Sequence, residues 1–176
     1  MYPNCKANGF TLFELIVSIS ILSIIAMLAI PHYHELMERQ EVSNLKPLLH
    51  QHISVAKNHA KTLHSNIVLC SSVDLKQCEN DQWNFGIIIF NDLNKNKKVD
   101  ENELIVAQTA TQMKYGQLRW KGSASSPKVI TFQGDSGLPR GAPGSFFYCG
   151  SKNPQNHKRF YIGPMGHVRV EPTTEC

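Results

Sequence analysis

From Phe10 to Ile30 the chain reads FTLFELIVSISILSIIAMLAI, an apolar run whose only charge is Glu14. Leu15 through Ile30 are sixteen consecutive uncharged, mainly apolar residues. As a helix, Phe10–Pro31 is long enough to cross the ~30 Å hydrocarbon layer of a bilayer. A run of this kind cannot be the core of a small domain and also stay in water, so the chain divides into a membrane-competent segment and a remainder. The leader MYPNCKANG precedes it and carries Lys6, which the positive-inside tendency places on the cytoplasmic side. A secretory signal would place a small-residue cleavage site after the apolar run. Ile30-Pro31-His32 offers none, whereas Gly9 lies just before it. A plain anchor leaves Glu14 unexplained, because a carboxylate in hydrocarbon costs ~2.5–3.5 kcal/mol on insertion scales and marks function.

Lys6-Ala7-Asn8-Gly9 followed by Phe10-Thr11-Leu12-Phe13-Glu14-Leu15 resembles the processing site of type IV pilins and type II secretion pseudopilins. The resemblance implies that a prepilin peptidase cuts after Gly9 and methylates the new N-terminus, Phe10. It implies that Glu14, fifth in the processed chain, pairs with the terminal amine of a neighbouring subunit and is satisfied only on assembly. Pro31 stands where many members have a proline, and is expected to kink or locally melt the helix.

The remainder is short for two cores of ordinary size. The chain as a whole, with 41% hydrophobic and 18% charged residues, reads as folded, and its mean hydropathy of −0.26 excludes a polytopic membrane protein. Removal of the leader takes Cys5 with it and leaves Cys70, Cys78, Cys149 and Cys176. An even count in an exported domain points to disulfides, and the CxxC spacing of a zinc site is absent. Four cysteines permit three pairings; the short loop favours Cys70–Cys78, which leaves Cys149–Cys176.

Past Pro31, Leu45, Leu48, Leu49, His52, Val55, Ala56, Ala60 and Leu63 recur at three- and four-residue spacing, the stripe of an amphipathic helix. The helix is predicted over 10–64, with 10–31 as its hydrophobic part and Pro47 as a possible bend or break. His50, His52, His59 and His64 lack acidic co-ligands at matching spacing and read as helix-surface and boundary residues. The pattern then changes to short strand-like runs: Ile67–Cys70, Phe85–Phe90, Glu103–Ala107, Gly116–Lys121, Lys128–Phe132, Ser145–Cys149, Arg159–Ile162 and His167–Glu171. The expected fold is α+β. A leader at 1–9 precedes a long N-terminal helix, which packs on an antiparallel sheet head at 65–176.

The order LCSSVDLKQC, then Trp83-x-x-Gly86, then IIIFNDLNKNKKVDENELI is similar to the GspH/FimT-type minor pilins. So are ITFQGDSGLPRGAPGSFFYC and KRFYIGPMGHVRVEP. The resemblance implies a minor subunit that primes or joins a type IV pilus, with other major and minor pilins as partners. It places the protein as a single-pass inner-membrane species with a periplasmic head, and afterwards in the extracellular pilus. The rival is a minor pseudopilin of a type II secretion system, whose partners are other pseudopilins; a third reading is a purely structural minor pilin.

Two constellations carry possible chemistry. From Asp92, oxygen-bearing side chains recur at Asn94, Asn96, Asp100 and Glu103, the ligand spacing of a calcium loop. Lys97 stands where such loops have their glycine, and turn-forming Asp and Asn account for the same residues without metal. No cofactor is expected. The second is charge. Residues 1–113 carry nine Lys/Arg against eleven Asp/Glu, while 114–176 carry nine against three. In the DNA-uptake branch of the FimT-type proteins a Gly-Arg-x-Arg motif is implicated in DNA binding; here Gly166-His167-Val168-Arg169 keeps the glycine and the second arginine. The resemblance thus implies a DNA-contacting surface of His167 and Arg169, extended by Arg140, Lys152, Lys158 and Arg159. Its contacts to phosphate would be sequence-independent and salt-sensitive. No nucleophile elbow, P-loop, HExxH or nucleotide-binding glycine run is present, so catalysis is not expected.

Overall fold

The computed structural model describes residues 10–124, 127–141 and 143–176. One α-helix, α1, runs from Leu12 to Leu63, 52 residues or roughly 78 Å. It passes through Pro31 and Pro47 without interruption, so the local melting expected at Pro31 and the break considered at Pro47 are both absent. The reason at Pro47 is its position: it is exposed, and Ser43, whose carbonyl loses its donor, lies on the same exposed side. The helix stops at His64, whose left-handed backbone (φ 49°) turns the chain into the first strand.

Eight strands follow: β1 Asn66–Ser71, β2 Gly86–Asp92, β3 Ile105–Ala110, β4 Gly116–Gly122, β5 Ile130–Phe132, β6 Gly144–Gly150, β7 Lys158–Ile162 and β8 Val168–Pro172. They form two antiparallel four-stranded sheets, ordered β3-β2-β1-β5 and β4-β6-β7-β8, where one was expected. β3 begins two residues later than its apolar run suggests. The Glu103 side chain is committed to the preceding loop, accepting from Leu93 N and Asp100 N.

The second half of α1 is the spine of the core. Val42, Leu45, Leu49, Ile53, Ala56 and Ala60 pack against Ile67 and Leu69 of β1, Ile87 and Ile89 of β2, and Leu118, Phe146, Tyr148, Phe160 and Ile162 of the second sheet. Trp83, Trp120 and Phe146 form an aromatic cluster where the sheets meet, with Trp83 edge-on to Phe146 at 4.8 Å. The Trp-x-x-Gly motif is thereby architectural: Trp83 is wholly buried, and a Cβ at Gly86 would collide with Leu75. His52 is not a surface residue. It is 4% exposed and bridges Leu48 O (2.8 Å) and Thr109 Oγ1 on β3 (3.0 Å).

The first sheet is buried on both faces. Val68, Cys70, Ile88 and Phe90 point away from the helix into a second cluster, covered by Leu75, Cys78, Val99, Ile105 and Val129. The Cys70–Cys78 disulfide, with Cα atoms 5.7 Å apart, fastens that cover. The second sheet buries its inner face, while of its outer face only Ser145 and Phe147 of β6 are buried and Arg119, Lys121 and Arg169 stand exposed.

Candidate functional site

At the N-terminal end, the helix is long and apolar enough to cross a membrane, and its most apolar window has a mean hydropathy of 2.5 with none of it buried. Burial by the head begins at Glu38, so residues 12–33 project for roughly 33 Å, close to the thickness of a hydrocarbon layer. Phe10 is fully accessible at 77% exposure. Gly9 and the leader lie outside the described residues. Glu14 has partners within its own chain: Thr11 N (3.0 Å) and Thr11 Oγ1 (2.8 Å) both donate to its Oε2. Thr11 Oγ1 accepts from Glu14 N in return, completing a capping box. The carboxylate is therefore held at the helix start before any neighbour arrives, and is not left unsatisfied in the single chain.

Where helix and head join, three carboxylates do work that the sequence reading missed. Glu38 is wholly buried and accepts from Lys152 N (2.9 Å), Asn153 N (3.3 Å) and Asn156 Nδ2 (2.9 Å). Glu41 accepts from Lys114 N (2.8 Å), Tyr115 N and the Tyr148 hydroxyl (2.9 Å). Burial, then the Glu41 carboxylate, pushes the Tyr148 hydroxyl far up, so it remains a donor. Glu35 accepts from Asn153 Nδ2 and from Arg39 at 2.6 Å, and these hold its carboxyl below the usual range. Two loops of the second sheet are thus tied to the helix through backbone N–H groups that need a fixed acceptor. Gly150 permits the approach, because a Cβ there would run into the Glu38 carboxylate. The available signal was phase: Glu38 continues the Val42, Leu45, Leu49 stripe by four residues.

The 92–103 loop brings all five candidate calcium ligands together, but ties them to one another. Asp92 accepts from Asn96 N (3.1 Å) and Lys97 N (3.2 Å). Asn94 Nδ2 and Asn96 Nδ2 each donate to Asp100 Oδ2 at 2.7 Å. Lys95 and Lys97 take left-handed backbone, φ 62° and 61°, in place of glycine. Burial raises the Asp92 carboxyl, partly offset by the N–H of Lys97. Among the described residues no group of three His, Cys, Asp or Glu side chains is arranged to hold a metal.

The six residues implied in DNA contact do not share one surface. Lys152 caps Glu38, nineteen residues or roughly 28 Å along the helix from Lys57, whose Nζ holds Met165 O beside His167 (3.0 Å). Arg140 lies in the β5–β6 connection and pairs with Asp135 at 3.5 Å. Lys158 is in register with Tyr148, on the core side of its strand, because side chains alternate along a strand. Arg159 and Arg169 are on the outer face. The ladder places Arg119, Phe147, Arg159 and Glu171 in one row across the sheet, and Lys121, Ser145, Tyr161 and Arg169 in the next. Arg119 and Lys121, absent from the sequence-derived set, therefore join Arg159 and Arg169. The Cys149–Cys176 disulfide fixes the end of the chain over this face.

Residues 4–30 match the model of the prokaryotic N-terminal methylation motif, which implies processing by a prepilin peptidase. Residues 48–166 match that of the type II transport protein GspH. No curated protein matches the chain. Among solved structures, the type IV minor pilin FimU of Pseudomonas aeruginosa strain PAO1 is similar with a TM-score of 0.52 and 17% identity, over 78% of this chain and 92% of that one. The minor pseudopilin EpsH from the type 2 secretion system of Vibrio cholerae gives 0.49 and 12%, over 77% and 99%. The FimU similarity shows a shared fold: a long helix packed on antiparallel sheets. With the GspH model covering more than half of its length, the chain belongs to the GspH family, and it shares the fold of that minor pilin.

Proposed function

We propose that this protein is a minor pilin incorporated into or priming a type IV pilus, and that its head binds extracellular DNA without sequence preference for uptake in natural transformation. The observation that supports this most is the outer face of the second sheet, where four cations stand in two adjacent rows of the ladder. A flat array of Arg and Lys meets phosphates at any sequence. His167 stands in the β7–β8 turn beside Arg169, where a ring N–H can donate to a phosphate oxygen. The cut after Gly9, methylation at Phe10 and pairing of Glu14 with a neighbour's terminal amine complete the assembly part of the proposal. In it, Glu14 exchanges the Thr11 donors for a cationic partner.

The test is a mobility shift of random-sequence duplex by the full-length protein in detergent micelles, over a salt series. Arg169→Ala is expected to weaken binding equally for unrelated sequences and to lower the log–log salt slope by about 0.9. Unchanged affinity of the variant at low salt would remove Arg169 from the surface. Absence of binding by the wild type would favour the second reading, a minor pseudopilin of a type II secretion system, which the family match also supports.

A further inference from the structure

The outer face of the second sheet is already occupied by a carboxylate of the same chain. Lys121 Nζ lies 2.7 Å from Glu175 Oε1, and Glu175 lines one hollow with Arg119, Lys121 and Phe147 and a second with Lys121, Arg159 and Tyr161. Beneath it the cations are held up by rings and a hydroxyl. Arg159 Nε donates to Ser145 Oγ at 2.9 Å, and its guanidinium sits 5.8 Å from the Phe147 ring and 5.6 Å from that of Tyr161. Lys121 Nζ is 6.0 Å from the Phe147 ring. Phe147 is covered in this way to 7% exposure, although it faces outward. The arrangement lays the stems of Lys121 and Arg159 against aromatic rings and leaves their charged heads at the surface, where an anion can reach them.

Strand spacing of ~4.8 Å sets Arg159 on β7 about 10 Å from Arg119 and Lys121 on β4, too wide for one phosphate and suited to neighbouring ones. Glu175 answers one end of that array. The Lys121 hydrogen bond, then the Lys121 charge, with smaller help from Arg159 and Arg119, keeps its carboxyl below the usual range. Yet both partners of the pair are open to water, 70% and 61% exposed, so the contact is weak and exchangeable. What keeps Glu175 in place is its neighbour Cys176, bonded to Cys149, which is itself on the outer side of β6 in register with Gln117. A tether of one residue gives a weak ligand a high effective concentration. Two further carboxylates border the face: Asp81 lines the hollow beside Arg119, and Glu171 is in register with Arg159. Among the described residues neither makes an ion pair with these cations.

We propose that Arg119, Lys121 and Arg159 form a phosphate-binding face and that Glu175, tethered by the Cys149–Cys176 disulfide, is its built-in competitor, which a DNA backbone displaces. The choice of DNA as the polyanion rests on the reading in the preceding subsection; the self-occupied site does not.

The experiment is fluorescence anisotropy of a random 30-base-pair duplex with the full-length protein in detergent micelles, across a salt series. Glu175→Gln is expected to bind roughly two- to fivefold tighter, the scale of an exposed ion pair. Cys149→Ser with Cys176→Ser is expected to tighten binding in the same direction and to make Glu175→Gln silent when combined with it. Arg119→Ala and Lys121→Ala each weaken binding and lower the salt slope by about 0.9, while Lys76→Ala, in the exposed loop between β1 and β2, does neither. Arg119→Lys retains most of the slope, which separates lost charge from lost folding. If the wild type binds DNA but Glu175→Gln, Arg119→Ala and Lys121→Ala all behave as Lys76→Ala does, the placement is overturned and the DNA reading stands. If no variant binds at low salt, both fall. If polyglutamate competes as well as DNA, charge for charge, the face is for acidic proteins and the DNA assignment is overturned.

Discussion

The two sheets of the head are made of similar strands and are put to different use. In the first, β1 and β2 bury residue after residue, because α1 covers one face and the 72–85 and 93–104 loops cover the other. In the second, β4 alternates: Leu118 and Trp120 go inward, while Gln117, Arg119 and Lys121 face water. A sheet packed on both sides has no surface to offer. One packed on a single side has a rigid face on which side chains are held at fixed spacing, and here that face carries the cations. The chain thus separates the sheet that supports from the sheet that presents.

The largest expected effect tests this difference with two phenylalanines. Phe90, in the far cluster of the first sheet, is completely buried, whereas Phe147 is covered by the stems of Lys121 and Arg159. Phe90→Ala is expected to cost about 3–5 kcal/mol, since the cavity is closed on all sides. Phe147→Ala is expected to cost about 1.5–3 kcal/mol, the transfer part alone, because long flexible side chains and water can settle into the gap. Urea denaturation in micelles measures both. The only two tryptophans, Trp83 and Trp120, are buried together in the head and report on it. Equal losses would mean that the second sheet is as closed as the first.

Next in size is the joint that orients the presenting sheet. Glu38→Ala removes one acceptor from two backbone N–H groups and an Asn amide, and is expected to destabilise by about 1.5–3 kcal/mol. Glu38→Gln keeps one acceptor oxygen and is expected to lose less. Should the two variants lose the same, one acceptor oxygen does not hold the joint and both carboxylate oxygens are required; a Gln variant that loses nothing would mean that any acceptor suffices.

These contrasts also show what the sequence could reveal. Each of the eight strands is visible as a β-rich run, because pleat and turn chemistry are local. The division into two sheets is not, since β5 pairs with β1 and β4 with β6 across long intervals. Face assignment was within reach and partly missed. In KRFYI the apolar Phe160 and Ile162 put Arg159 and Tyr161 outside and Lys158 with the core side, and QLRWK marks Arg119 and Lys121 by the same alternation. Glu38 was hidden by a habit of reading, in which charge on a helix means solvent; only its phase with Val42 argued otherwise. The tail over the cationic face had no local signal, because it depends on where a disulfide carries Glu175.

The smallest effect is one of sign, and it opposes two carboxylates, one from each sheet's surroundings. Asp92, at the end of β2, is raised above its ordinary value, by burial first. Its contribution to stability is fully present below the unfolded-state value near 3.8 and is lost as pH rises through the folded value. Glu175 is lowered by Lys121, so its contribution is present above the unfolded-state value near 4.5 and is lost as pH falls through the folded value. Wild type is therefore expected to gain stability over Asp92→Asn as pH falls from 6 to 3.5, and to lose its advantage over Glu175→Gln across the same range. Matched denaturation curves at four or five pH values show the two differences running in opposite directions. Parallel curves would mean that the covered sheet and the open one present carboxylates with the same environment, and the division of labour between them would have to rest on packing alone.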